Sequence, residues 1–297
     1  MKWTIENIPD LTNKVAIVTG ANSGIGFATS HALSSKGARV ILACRTLENG
    51  QQAIEKIKKQ EPESELETMK LDLADLKSVE KFSNEFKSKY NKLDILINNA
   101  GVMKTPYQLT PDGFELQFAT NHLGHFALTE RLLSLLKNTP KSRIVTLSSG
   151  GHKFAKMDFS NLQGEKKYNA QGAYSQSKLA NLLFTYELQR RLEKANLETI
   201  AVAAHPGWTV TKLQKHWLVL RLLNPIIGQK PDKGALPTLY AATASEVKGG
   251  DYYGPSGIQE LRGYPKKVKS SKLSYDESLA KQLWEISEEL TGVKYFF

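Results

Sequence analysis

Short apolar runs alternate with amphipathic stretches along the first two thirds of the chain. Residues 15–18, 39–43, 66–71, 93–97, 143–147 and 199–203 are brief and apolar-rich, and predict six strands. Between them, residues 24–36, 47–59, 78–90, 112–136 and 173–193 carry apolar positions at helical spacing. Gly37 and Pro62 supply stop signals after the first two of these helices. Residues 276–290 predict a further amphipathic helix near the end of the chain. Short buried strands joined by helices predict a central parallel sheet with helices on both faces. No internal repeat, low-complexity tract or linker interrupts the pattern, so residues 1–297 read as a single α/β domain.

Composition narrows the class. Hydrophobic residues make up 40% and charged residues 24% of the 297 positions, as in ordinary globular proteins. Cys44 is the only cysteine, which excludes an intrachain disulfide and any multi-thiolate metal site. It reads as a small buried residue, not a redox thiol. The start, MKWTIENIPDLTNK, has no signal-peptide core, and no run of about 18 apolar residues predicts a membrane span. A cytoplasmic protein is therefore expected. The formal charge of +10 comes from lysines spread along the chain without a nucleic-acid motif, so no nucleic-acid partner is expected. His122, His125 and His152 are not spaced as a metal site, and no metal is expected.

Two stretches carry candidate chemistry. TGANSGIG, residues 19–26, follows a predicted strand and opens a predicted helix. Gly20 permits a sharp turn, Gly24 a close ligand approach, and Gly26 tight helix–sheet packing. Free N–H groups at the helix start then suit a pyrophosphate. AYSQSKLAN, residues 173–181, sets Tyr174 and Lys178 on one helix face, one turn apart. An ammonium there favours the phenolate, making Tyr174 a usable acid–base group.

The GxxxGxG spacing resembles the short-chain dehydrogenase/reductase family, and further strings agree in order: Asp72-Leu73, Asn98-Asn99-Ala100-Gly101, Asn121, Ser149, the YxxxK pair Tyr174 and Lys178, and Pro206-Gly207 with Thr211. The resemblance spans roughly residues 12–290. It is nearest to the retinol dehydrogenase branch through ILACRTLENG, NHLGHFALT, VTLSSGGH, YSQSKLANLLFT and HPG. The resemblance implies a doubly wound Rossmann fold whose dinucleotide-binding half covers about 12–150. It also implies hydride transfer between a nicotinamide and a carbonyl or carbinol carbon. Tyr174 would be the proton donor or base, Lys178 would lower its pKa and hold the nicotinamide ribose, Ser149 would bind the reacting oxygen, and Asn121 would support a proton-relay water. Asn121 could alternatively serve only as a helix-bend residue. The cofactor would lie along Gly20, Asn22, Ser23, Gly24, Ile25, Gly26, Asp72, Leu73, Asn99, Ala100, Gly101, Pro206, Gly207, Thr209 and Thr211, as well as Tyr174 and Lys178.

Cofactor choice turns on the end of the second strand, Ala43-Cys44-Arg45, which offers no acid for ribose hydroxyls. Arg45 suits a 2′-phosphate, so NADP(H) is favoured over NAD(H), unless Arg45 is merely a surface arginine. Residues 212–230, KLQKHWLVLRLLNPIIGQK, are apolar with flanking bases. They read as a substrate lid, a packing or subunit contact, or a membrane-skimming element. The expected substrate is a small lipophilic aldehyde, ketone or alcohol, and the expected assembly a homo-oligomer. A non-catalytic NADP(H)-binding sensor or interaction protein is the alternative, and the complete Ser149–Tyr174–Lys178 set argues against it.

Overall fold

The computed structural model describes residues 2–210 and 228–297. Its centre is one eight-stranded sheet in the order β3-β2-β1-β4-β5-β6-β7-β8. The first six strands are β1 (Val15–Thr19), β2 (Arg39–Cys44), β3 (Leu66–Lys70), β4 (Ile95–Asn98), β5 (Arg143–Leu147) and β6 (Ile200–Ala204). These run parallel, as does β7 (Tyr252–Pro255), while β8 (Pro265–Lys267) closes the edge antiparallel to β7. The first six match the sequence expectation within one or two residues. The chain order reverses beside β1, where the connection from β3 crosses to β4, and this places a crevice at the carboxyl ends of β1 and β4.

Period-2 alternation divides the strands between two cores. Ala16, Val18, Val40, Leu42, Ile97, Val145 and Val202 face one layer. That layer is covered by α1 (Gly24–Ser34), α2 (Leu47–Lys58) and α7 (Pro231–Thr243). Ile17, Ile41, Leu96, Ile144 and Ala201 face the other. It is covered by α3 (Leu76–Lys89), α5 (Gly124–Asn138), α6 (Ala170–Lys194) and α8 (Glu277–Thr291). Strands buried on both faces need no polar alternation, which is why their sequences are nearly continuous apolar runs.

The expected helix over 112–136 is corrected. Residues 109–115 form a turn closed by a Leu109–Glu115 bridge, with Gly113 in the left-handed region. Helix starts only at α4 (Leu116–Phe118), where the Glu115 carboxylate accepts from the Gln117 and Phe118 amides. A π turn (Ala119–Leu123) then separates α4 from α5. Residues 150–169, between β5 and α6, hold two short 3-10 turns, Gly150–Phe154 and Phe159–Asn161. α7, β7 and β8 were not predicted. The segment at 212–230 lies outside the described residues except for its last three.

Candidate active site

β1 delivers the glycine turn. Gly20 and Gly24 have φ of +66° and +58°, a conformation that disfavours any side chain. Gly26 is needed for space: a Cβ there would meet the Gly20 carbonyl oxygen at 2.4 Å and the Asn99 amide nitrogen at 2.6 Å. The turn is therefore a cradle that only backbone can line. Ser23 precedes α1, and its side chain makes no capping hydrogen bond, so the first amides of the helix are not satisfied by a cap. Asn22, Ser23, Gly24 and Ile25 are all partly exposed around this opening. These features fit a dinucleotide pyrophosphate.

Thr19, one residue before the turn, escaped the sequence reading. Its hydroxyl oxygen accepts from the amides of Asn99 and Ala100, each at 2.9 Å. The Asn99 side chain returns a hydrogen bond to the Thr19 carbonyl at 2.6 Å. His125 completes this anchor. Its Nδ1 donates to the Asn121 carbonyl at 3.1 Å, so its Nε2 accepts from the Thr19 hydroxyl at 2.9 Å. Burial pushes the His125 pKa down to about 3, which keeps the ring neutral. A threonine closing an otherwise apolar strand was the available signal.

Asn121 sits in the π turn and is fully buried. Its Oδ1 accepts from the Val102 amide at 2.8 Å. Its Nδ2 donates to the Val102 carbonyl and to Ser177 Oγ, both at 2.9 Å. The residue thus joins the bulged helix to the chain after Gly101 and to α6. Leu73 carbonyl lies against Gly124, where a Cβ would approach it to 2.2 Å. Asp72 Oδ1 accepts from the Ala74 amide, leaving the Asp72-Leu73 turn at the end of β3.

Tyr174, Lys178, Ser149 and Asn121 converge beside this crevice. Tyr174 is 8% and Lys178 5% exposed. Burial raises the Tyr174 pKa, and the neighbouring Ser149 hydroxyl lowers it. A Cβ on Gly151 would contact the Tyr174 ring at 3.3 Å and Ser149 Oγ at 3.6 Å, so Gly151 lets the two side chains meet. Lys178 Nζ donates to the Leu147 carbonyl at 3.1 Å and lies within 3.4 Å of the Cβ position of Gly101. Burial pushes its ammonium down to about 8.

Burial is the largest influence on the Tyr174 phenol and holds its pKa above the ordinary value. The ammonium is 5.9 Å from the phenol ring centre and is directed to the Leu147 carbonyl. The neighbouring Ser148 turns away, donating to the Lys178 carbonyl at 2.9 Å.

At the end of β6, Gly207 has φ of +63° and is pressed against the Leu261 carbonyl. The Pro206 carbonyl accepts from Thr209 Oγ1 and Gln229 Nε2, both at 2.8 Å. Arg45 is exposed just beyond β2, on the same side as the glycine turn, since Gly20 N donates to Ala43 O at 2.9 Å. Cys44 is buried there, its thiol pushed up to about 11 by burial. Thr211 lies outside the described residues.

The family profile described as short chain dehydrogenase matches residues 14–218. Retinol dehydrogenase 11 of Mus musculus is 42% identical over 290 residues, covering 95% of this chain and 88% of that protein. Retinol dehydrogenase 14 of Homo sapiens is 42% identical over 302 residues, covering 94% and 87%. Among solved structures, an uncharacterized protein from Mycobacterium paratuberculosis matches with a TM-score of 0.85 and 39% identity, over 100% of both chains.

Proposed function

The chain belongs to the short-chain dehydrogenase/reductase family of nicotinamide-dependent oxidoreductases, and from that premise we propose that it interconverts a lipophilic alcohol with its aldehyde or ketone, using NADP(H). The observation that carries this reading is the meeting of buried Tyr174 and Lys178 with partly buried Ser149 beside the glycine cradle. When bound, the nicotinamide supplies or accepts the hydride. The residues of the chain do the rest.

Gly20, Gly24 and Gly26 would hold the pyrophosphate at the start of α1, and Asp72 and Leu73 the adenine. Asn99, Ala100 and Gly101 after β4, and Pro206, Gly207 and Thr209 after β6, would hold the nicotinamide half. In reduction, Tyr174 Oη gives its proton to the carbonyl oxygen. In oxidation, the phenolate takes it from the hydroxyl. Ser149 Oγ donates a hydrogen bond to the same oxygen, stabilising its developing charge. Lys178, buried with its Nζ beside Gly101, holds the ribose hydroxyls. A sugar brought there supplies acceptors that the ammonium otherwise lacks, and this favours its charged form.

NADP(H) preference is supported by exposed Arg45 at the end of a strand that carries no acid. A guanidinium matches a 2′-phosphate through paired charge-assisted hydrogen bonds. A lipophilic substrate is supported by relatives that are named retinol dehydrogenases, and by the apolar sequence of residues 212–230. The test is NADPH and NADH oxidation over a panel of long-chain and cyclic aldehydes and ketones, with Tyr174→Phe and Arg45→Asp beside the wild type. The reading requires NADPH turnover that collapses in Tyr174→Phe. It also requires Arg45→Asp to lose NADPH affinity far more than NADH affinity. Equal losses for the two cofactors refute the phosphate contact.

A further inference from the structure

His152 is 1% exposed and occupies the 3-10 turn immediately after Ser149. Its Nδ1 lies 2.5 Å from the Ser149 carbonyl oxygen, which can only accept, so Nδ1 carries the proton. Nε2 then accepts from the Ser271 amide at 3.1 Å. Both ring nitrogens are committed, and burial pushes the pKa down to about 4. The ring is neutral in one tautomer over the whole range where a dehydrogenase would work.

This bridge joins the Ser149 turn to Ser271, 119 positions beyond His152. The segment around Ser271 is itself fixed to the helix carrying Tyr174 and Lys178. Ser270 Oγ is 2.8 Å from Tyr186 Oη, and the Tyr275 ring stacks on Tyr186 at 5.0 Å. The His152 ring also meets Tyr252 of β7 edge-on, at 5.7 Å and 83°. Ser149 needs such a hold. It leaves β5 on a stretch whose next residue, Gly150, has nothing within 4 Å of its Cβ position, and its own side chain is only partly buried. Ser149 Oγ accepts from the Gly151 amide at 3.2 Å, a bond within its own turn.

We propose that His152 is a positioning residue for the reaction: its Nδ1–H fixes the Ser149 main chain so that Ser149 Oγ stays aimed at the oxygen that Tyr174 protonates. The proposal rests on the functional reading above. A residue that only tethers Ser271 to the body of the protein would need Nε2 alone. A residue that aims Ser149 needs Nδ1.

Two amide substitutions separate these roles. In His152→Asn the side-chain NH2 falls near the place of Nδ1 and donates to the Ser149 carbonyl, while the Ser271 contact is lost. In His152→Gln the amide oxygen reaches the place of Nε2 and accepts from the Ser271 amide, while the Ser149 carbonyl loses its side-chain donor and keeps only the His152 backbone N–H, at 3.1 Å. A misplacement of reacting groups by about 1 Å costs on the order of 100-fold in rate. We expect kcat of His152→Gln to fall at least about 10-fold, with KM and NADPH affinity within about twofold of wild type. His152→Asn should retain most of kcat. Equal kcat losses in the two variants, or losses that follow their melting temperatures, overturn the proposal. Ser149→Ala is run alongside. Full activity there refutes the functional reading itself, not the role of His152. Crystals of His152→Gln give the second measurement, which needs no substrate. Ser149 Oγ should shift away from its wild-type place beside the Tyr174 ring, and finding it unmoved overturns the proposal.

Discussion

Lys178 should weaken the cofactor-free protein that it equips for catalysis. The residue is 5% exposed, and its ammonium donates to the Leu147 carbonyl, which Asn181 Nδ2 also engages at 2.9 Å. Burial lowers its pKa from 10.5 to about 8. At pH 7 both the folded and the unfolded chain carry the proton, and the folded state bears the full penalty, about 3 kcal/mol. Between pH 8 and 10.5 the unfolded chain still holds a proton that the folded chain has released, so stability from this group rises with pH. Above 10.5 both forms are neutral and the penalty is gone. Lys178→Met keeps the length of the side chain and removes the charge. Losing the Leu147 hydrogen bond costs about 1 kcal/mol, so the variant should gain about 2 kcal/mol at pH 7. By pH 9.5 that advantage should have vanished, because the penalty it relieves has dropped by about 2 kcal/mol. Urea unfolding of both proteins at the two pH values measures this, and the other titrating groups cancel in the difference. The same variant should have no turnover. A Lys178→Met protein less stable than wild type at pH 7, or a difference unchanged at pH 9.5, refutes the reasoning.

Gly26→Ala places a Cβ 2.4 Å from the Gly20 carbonyl and should open the cradle by about 1 Å. Calorimetric titration should show NADPH binding weakened at least about 10-fold, while Gly150→Ala, which meets nothing within 4 Å, leaves it unchanged. Trp284→Ala should cost about 3–5 kcal/mol in urea unfolding. Its ring is 2% exposed and packs against Phe126, Phe184 and Tyr295, with the Arg191 guanidinium 4.2 Å above it. A thiol reagent such as Ellman's should leave Cys44 unlabelled in the native protein at pH 8 and label it on denaturation, because the thiol is buried and pushed up to about 11.

What the sequence made legible follows the range of the interaction that decides each feature. β1, β2 and β5 are apolar on both faces, so each is readable from its own residues. β7, with the sequence YYGP, is a strand because Ala203 and Ala204 offer it two rungs of pairing, and β8, with PKK, because β7 accepts it. Neither partner is visible locally. α7 was hidden by Pro237 in its interior and by Gly234, both poor helix formers, although Pro231 at its first turn and Asp232 beside it marked a start. Gly234 is there because a Cβ would strike Thr209 Oγ1 at 2.2 Å, a packing demand again set from a distance.

The site divides the same way, and the division explains why the chemistry was easier to read than its control. Tyr174 and Lys178 share a helix face, and Gly20, Gly24 and Gly26 share a turn, so their spacing in sequence is their spacing in space. The pKa of Tyr174 is not a property of its spacing from Lys178. It depends on how dry the pocket is and on where the ammonium is held, by a carbonyl of β5 that lies 31 positions upstream. His125 and His152 read as unremarkable histidines because their partners are remote: Thr19 at 106 positions for one, Ser271 at 119 for the other. Each ring has both nitrogens engaged and its proton fixed on Nδ1 by a backbone carbonyl, the Asn121 carbonyl for His125 and the Ser149 carbonyl for His152. A neutral ring locked in this way can set a geometry without exchanging a proton, which suits groups that stand beside an acid–base centre without joining its titration.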